Sequence, residues 1–293
     1  MNTRNDLSAA ALAASSSLPP EAAARTLAKA VTEAGDLALS MFRAGVRTWM
    51  KGGASPVTEA DLAVDAFLRE RLMAVAPDHG WLSEETADAP ERLTRRRVWV
   101  VDPIDGTRAF IKGLPDWAIA AALIEDGRPV AAALDAPATG ELLLAAAGEG
   151  ATRNGVAIVA SAVNSLRGAR VAGSRSIVDQ LIRTGMPLLA VPRIHSLALR
   201  FARVASGELD ASLAAAHSYD WDVAAADLLV HEARGRLTTF DGAKPVYNRP
   251  QPVHGALAAA GVGIHPALLA ALDMAAGKTG SSPRAGAREI AEP

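Results

Sequence analysis

Residues 98–107 read Val-Trp-Val-Val-Asp-Pro-Ile-Asp-Gly-Thr, and the reading of the whole chain turns on this string. Val98 to Val101 is an apolar run of strand length. It ends at Asp102, where Pro103 has no N–H to offer a further sheet partner. Gly106 permits a sharp turn, and Thr107 then opens a helix. Asp102 and Asp105 are therefore expected to converge on one point, with the Ile104 carbonyl turned toward it. The N–H groups of Gly106 and Thr107 would point the same way, as at helix starts that attract phosphate. Such oxygens suit magnesium, a hard ion held at about 2.0–2.1 Å. With no Cys or His alongside, zinc and copper are disfavoured. Two acids so placed can bridge two ions about 3.5–4 Å apart, as in many phosphoryl-transfer sites. Asp102 taken alone also reads as a turn or cap residue; the order of the full string is what points to a site.

Working outward, Pro19-Pro20 start a helix in which Leu27, Val31, Ala34, Leu37 and Met41 recur at helical spacing. A second helix is expected from Asp61 to Val75, ended by Pro77, with a flexible loop from Lys51 to Asp61 before it. Downstream, apolar runs at 118–124, 129–134 and 141–146 are separated by Asp126-Gly127 and by Pro137 to Gly140, which predicts an antiparallel meander. A glycine-rich turn, Gly148 to Gly155, follows. The second half predicts a strand at Arg170 to Ala172, a helix at Leu197 to Ala205 stopped by Gly207, and a strand at Leu209 to Leu213. It ends with a helix at Val223 to Ala233 closed by Gly235 and a strand at Arg236 to Phe240. Two halves are expected, 19–163 (helix plus antiparallel sheet, with most of the acidic residues) and 164–277 (alternating α and β), flanked by disordered segments at 1–18 and 278–293.

Of the 293 residues 50% are hydrophobic but only 4% aromatic, so the core must be mostly Ala, Leu and Val. Lys and Arg number 30 against 32 Asp and Glu, and this balance argues against a nucleic-acid polymer as partner. With no Cys, disulfides, thiolate metal sites and cysteine nucleophiles are excluded. No apolar run approaches the roughly 20 residues that span a bilayer, so no membrane partner is expected. A cytoplasmic location follows by default.

Asp102-Pro-Ile-Asp-Gly-Thr107 resembles the signature of the inositol monophosphatase superfamily, magnesium-dependent and lithium-sensitive phosphatases. Three further strings match in order: Val57-Thr-Glu-Ala-Asp61, Leu82-Ser-Glu-Glu85, and Trp221-Asp-Val-Ala224 continued by Glu232-Ala-Arg-Gly235. Each has a plain alternative. Thr58 and Asp61 also read as a capping box. Glu84-Glu85 also reads as a solvated loop, Asp222 as a first-turn acid, and Trp221 as core. The resemblance implies an α/β fold of α+β then α/β halves, the layered αβαβα sandwich of that superfamily, with the site between the halves. It implies two to three magnesium ions. Glu84, Asp102 and the Ile104 carbonyl would hold the first; Asp102, Asp105 and Asp222 the second; Glu84 would help with a third. Glu85 would support them. Asp61 and Thr107 would orient a metal-activated water for attack on phosphorus, leaving no need for a covalent phosphoenzyme. A homodimer is also implied.

For the substrate, Gly106-Thr107-Arg108-x-Phe110-Ile111-Lys112, Ser174-Arg175-Ser176 and Leu199-Arg200-Phe201 are similar to the 3'(2'),5'-bisphosphate nucleotidase branch. That branch removes the 3'-phosphate of adenosine 3',5'-bisphosphate to give AMP. Gly106 and Thr107 would meet the substrate, and Ser174, Arg175 and Arg200 would receive a second phosphate; both arginines also read as surface residues. Ser196 is a further substrate candidate. The register around His195 and Ser196 is ambiguous, because the family usually has Gly-Ser or Gly-Thr there, and His195 reads equally as packed, exposed or functional. Inositol 1-phosphate and histidinol phosphate are the alternative substrates. A non-catalytic partner protein is disfavoured because every expected ligand position is acidic. The resemblance predicts inhibition by lithium and by calcium, measured as phosphate release in magnesium buffer; unchanged release with either ion would contradict it.

Overall fold

A computed structural model describes residues 18–51 and 55–280 of the chain. Five layers stack in the order α, β, α, β, α, as expected. The first layer holds α1 (Pro20–Ala44) and α2 (Glu59–Val75). Pro20 stands in the first turn of α1, where its missing N–H costs nothing. Leu27, Ala30, Val31, Ala34 and Ala38 form its buried stripe.

The second layer is a seven-stranded sheet: β3 (Gly80–Ser83), β4 (Arg97–Asp105), β5 (Ala118–Glu125), β6 (Arg128–Ala136), β7 (Glu141–Ala146), β8 (Gly150–Arg153) and β9 (Val156–Ile158), adjacent in that order. All neighbours are antiparallel except β3 with β4. The meander is thus present. Its central strands are covered on both faces, by α1 and α2 outside and by the third layer inside, which is why they read as apolar runs rather than alternations. The third layer is α5 (Leu197–Ala205) and α6 (Asp220–Glu232). The fourth is a five-stranded sheet of order β11 (Leu189–Ala190), β10 (Arg170–Gly173), β12 (Ala211–Ala214), β16 (Leu257–Gly261), β14 (Gly235–Thr239). The fifth holds α4 (Arg175–Arg183) and α7 (His265–Gly280). The one-turn helix α3 (Thr107–Ile111) follows β4. Among the described residues no helix is long and apolar enough to cross a membrane.

Four expectations change. The stretch from Lys51 is no simple flexible loop: β1 (Thr48–Lys51) and β2 (Ser55–Thr58) pair antiparallel, and only the tip between them lies outside the described residues. Pro103 does not end the strand. Asp102 faces Ala120 and Asp105 faces Ala118, so β4 advances three residues while β5 advances two, and the extra residue forms a bulge that absorbs the proline. Gly235 is not the left-handed residue after α6; Arg234 takes that conformation, with φ of 63°, and Gly235 opens β14. A Cβ on Gly235 would meet Val230 at 2.8 Å. The Gly148–Gly155 turn contains strand β8; β3, α4, β16, α7 and the short pair β13 (Ser218–Tyr219) and β15 (Val253–His254) answer to no local sequence signal named above. Residues 1–17 and 281–293, where the expected end segments fall, lie outside the described residues, while residues 278–280 belong to α7.

Asp135 on β6 is buried against α1, where a Cβ on Gly35 would come within 2.0 Å of its carboxylate. Burial, then Asp36, pushes it up to about 7. The folded protein therefore keeps a proton here that the unfolded chain releases above about pH 3.9. The stability this contributes is full below the unfolded value and is lost as pH rises through 7. Asp135→Asn cannot ionise; its advantage over wild type in urea midpoint should grow from pH 4 to pH 8. A difference that does not change with pH would contradict this.

Candidate active site

Asp102 and Asp105 are three apart on a strand, a spacing that would normally send them to opposite faces. The bulge between them restores a common direction. With Asp222 they each offer an oxygen within 4.8 Å of the other two. Asp222 is in the first turn of α6, where its carboxylate accepts from the Tyr219 N–H at 2.6 Å. Glu84 follows β3 and lines the same cleft as these three, as do Ile104, Gly106 and Thr107. The structure thus gathers Glu84, Asp102, Ile104, Asp105 and Asp222 from three distant stretches of chain.

Asp61 closes the expected capping box at the start of α2. Thr58 donates its N–H (2.8 Å) and hydroxyl (2.6 Å) to Asp61 Oδ2 and accepts from the Ala60 N–H at the start of α2. That leaves Oδ1, which lies 3.2 Å from the Thr107 hydroxyl. The same hydroxyl lies 3.1 Å from the Ile104 carbonyl. Asp65, one turn further along α2, was missed by sequence reading. Its two oxygens accept from Ser83 and Thr86, so it clamps the segment that carries Glu84 and Glu85 on both sides. Only the fold reveals this, because the partners are about 20 residues away in sequence.

Asp105 is held by the start of α5. Ser196 caps that helix and donates its hydroxyl to Asp105, while the N–H groups of Leu197 (3.2 Å) and Ala198 (2.6 Å) donate to the same carboxylate. Ser196 is fully buried where it makes these contacts. It therefore does not line the cleft, contrary to its expected substrate role. Arg200 lies one turn on; it donates to the Ser212 hydroxyl at 3.2 Å and is attracted to Asp105, outside the cleft lining. Arg175 is 94% exposed and pairs with Asp179, and Ser174 lies 3.1 Å from Ser176; neither lines the cleft. Trp221 packs on the core and stacks on Tyr219 at 4.6 Å. The helix expected to attract phosphate at Thr107 is a single turn, too short for a substantial dipole. The cleft instead includes Arg108, Arg193 and His195. Arg108 adjoins the motif and was within reach of sequence reading; no local signal marks Arg193.

Burial dominates the electrostatics. It pushes Glu84 up to about 8, with Asp222 the next cause, and Asp222 up to about 7, with Asp105 the next. Asp102 is driven well above the carboxylate range by burial and then Glu84. Asp105 is raised by burial, against the pull of its Ser196, Ala198 and Leu197 donors. Asp61 rises to about 6, again by burial. The charges that act on Asp102 and Asp222 are those of neighbouring carboxylates. Buried carboxylates without counter-charge are costly unless protonated or bound to a cation. An all-oxygen donor set of this charge fits a hard divalent ion such as magnesium.

Residues 20–275 match the model of the inositol monophosphatase family. A histidinol-phosphatase of Mycobacterium tuberculosis is 36% identical over 64% of this chain and 75% of that protein. A 3'(2'),5'-bisphosphate nucleotidase of Aggregatibacter actinomycetemcomitans is 29% identical over 74% of this chain and 84% of that one. The solved structure of an inositol monophosphatase (IMPase) from Thermotoga maritima superposes with a TM-score of 0.74 at 26% identity, covering 86% of this chain and 96% of that one. With the motif strings folded into one acidic cleft on this five-layer scaffold, the chain belongs to the inositol monophosphatase family and is a phosphomonoesterase.

Proposed function

We propose that the chain is a magnesium-dependent 3'(2'),5'-bisphosphate nucleotidase that converts adenosine 3',5'-bisphosphate to AMP and phosphate. The observation that carries the reaction is the convergence of Asp102, Asp105 and Asp222 within 4.8 Å of one another. Glu84, Asp102, Asp105, Asp222 and the Ile104 carbonyl would hold two to three ions, with Glu85 supporting Glu84. Bound ions supply Lewis-acid stabilisation of charge on the phosphoryl group and lower the pKa of water. The residues do the rest. Thr58 occupies Oδ2 of Asp61, so Oδ1 faces Thr107. Thr107 can pass its hydroxyl proton to Asp61 as it takes one from a water poised for in-line attack on phosphorus. Asp105, fixed by three donors from α5, keeps its place while charge builds nearby. For the substrate, the Gly106-Thr107-Arg108-x-Phe110-Ile111-Lys112 string and the nucleotidase relative support the bisphosphate reading.

Magnesium should raise the thermal unfolding midpoint, because it binds the folded carboxylate cluster, and EDTA should reverse the rise. Asp105→Asn should lose most of that shift and at least about 10²-fold in kcat/KM. An unshifted wild-type midpoint, or near-wild-type turnover in the variant, would contradict the proposal. In side-by-side assays with magnesium, kcat/KM should be highest on adenosine 3',5'-bisphosphate. A preference of more than about tenfold, or 1.4 kcal/mol, for inositol 1-phosphate or histidinol phosphate would overturn the substrate assignment.

A further inference from the structure

The second phosphate of the proposed substrate needs a receiver, and the residues first expected to provide one do not line the cleft. Arg175 points to solvent beside Asp179, and Arg200 is committed to Ser212 and Asp105. We infer that Arg193, with Arg108 and His195, forms the subsite for a second phosphate on the leaving group. This rests on the nucleotidase reading above.

Three observations support it. First, these are the basic side chains in the lining of the acidic cleft. Asp102 and Asp105 are buried, whereas Arg108 and Arg193 are exposed. The negative charge is therefore deep and the guanidiniums stand where the cleft meets solvent. A substrate whose scissile phosphate is drawn inward would leave its leaving group beside the arginines.

Second, Arg193 has no carboxylate partner among the described residues, unlike Arg170, Arg203 and Arg153, which pair with Asp210, Glu141 and Glu208. Its charge does nothing evident for the fold. A guanidinium presents paired donors that match phosphate oxygens. It gains little from the neutral ring of an inositol and repels the ammonium of histidinol phosphate, so it selects for an anionic leaving group and against a cationic one.

Third, Arg193 sits on an anchored strap. Val191 donates its N–H to Val171 at 2.9 Å on one side, and His195 donates its N–H to Asp116 Oδ2 at 2.6 Å on the other. Pro192 fixes φ between them. The same Asp116 oxygen is 2.6 Å from His195 Nδ1, and the Asp116 carbonyl accepts from the Ser196 N–H at 3.3 Å. Asp116 thus orients the imidazole through Nδ1, leaving Nε2 as its other polar atom for a ligand. Asp116 places a carboxylate against the imidazole, so Arg193 supplies positive charge that this carboxylate does not meet. Asp116 is a positioning residue: it holds the strap and does not itself meet phosphate.

The test uses two substrates that differ only in the 5'-phosphate, adenosine 3',5'-bisphosphate and adenosine 3'-monophosphate, with the full chain in magnesium. Wild type should show at least a tenfold higher kcat/KM on the bisphosphate. Arg193→Ala should bring the ratio to within threefold of one, chiefly through KM, and Arg193→Lys should retain part of it. Asp116→Ala should also lower the ratio, again through KM. Both substrates are assayed on one preparation, so any loss of folded protein cancels. A wild-type ratio near one, or an Arg193→Ala variant that loses equally on both substrates, overturns the subsite. Hydrolysis of neither substrate by wild type overturns instead the nucleotidase reading on which the subsite rests.

Discussion

The burial of several carboxyl groups beside one another is the constraint on which this structure turns. Burial, and then the charge of neighbouring carboxylates, raises the proton affinity of Glu84, Asp102 and Asp222, and burial raises that of Asp105. No such cluster persists unless the scaffold holds it. The restraints are specific: three donors from α5 on Asp105, the Tyr219 N–H on Asp222, and Asp65 gripping both flanks of the Glu84-Glu85 segment. The protein stores unfavourable charge that a divalent cation would relieve, and the same feature that costs stability supplies affinity for the ion.

The layered arrangement explains how distant stretches reach one point. β4 delivers Asp102 and Asp105 at its end. The third layer packs its helices on that sheet, so the first turn of α6 brings Asp222 and the start of α5 brings the donors for Asp105. A parallel β3 places Glu84 beside them, since Ser83 is paired with Val101. Behind α6, Asp220 accepts from the Asn248 N–H at 2.7 Å and lies 2.9 Å from His254, which pins the turn that carries Asp222. Small Ala side chains in β5 and β6 let helices approach closely on both faces, the structural counterpart of a core with few aromatics.

What was legible in sequence was local. The strand before Asp102, the turn at Gly106, the helix from Leu197 to Ala205 and the box at Thr58 and Asp61 all depend on neighbours within a few residues, and the structure contains each. What was not legible depends on pairing across the chain. The bulge at Pro103 appears only when β5 sets the register. β3 is four residues long and buried throughout, too short to show a period. Arg175 and Arg200 sit in helices whose rotation about their own axes is fixed by packing; one faces water and the other Ser212. Arg193 enters the cleft because Asp116, nearly 80 residues earlier, ties down the strap beside it.

The most direct measurement is anomalous diffraction from crystals soaked in manganese, which replaces magnesium at oxygen sites. The account predicts anomalous peaks among Glu84, Asp102, Asp105 and Asp222, bounded by the Ile104 carbonyl. Crystals that show no peak there while the carboxylates remain together would contradict it.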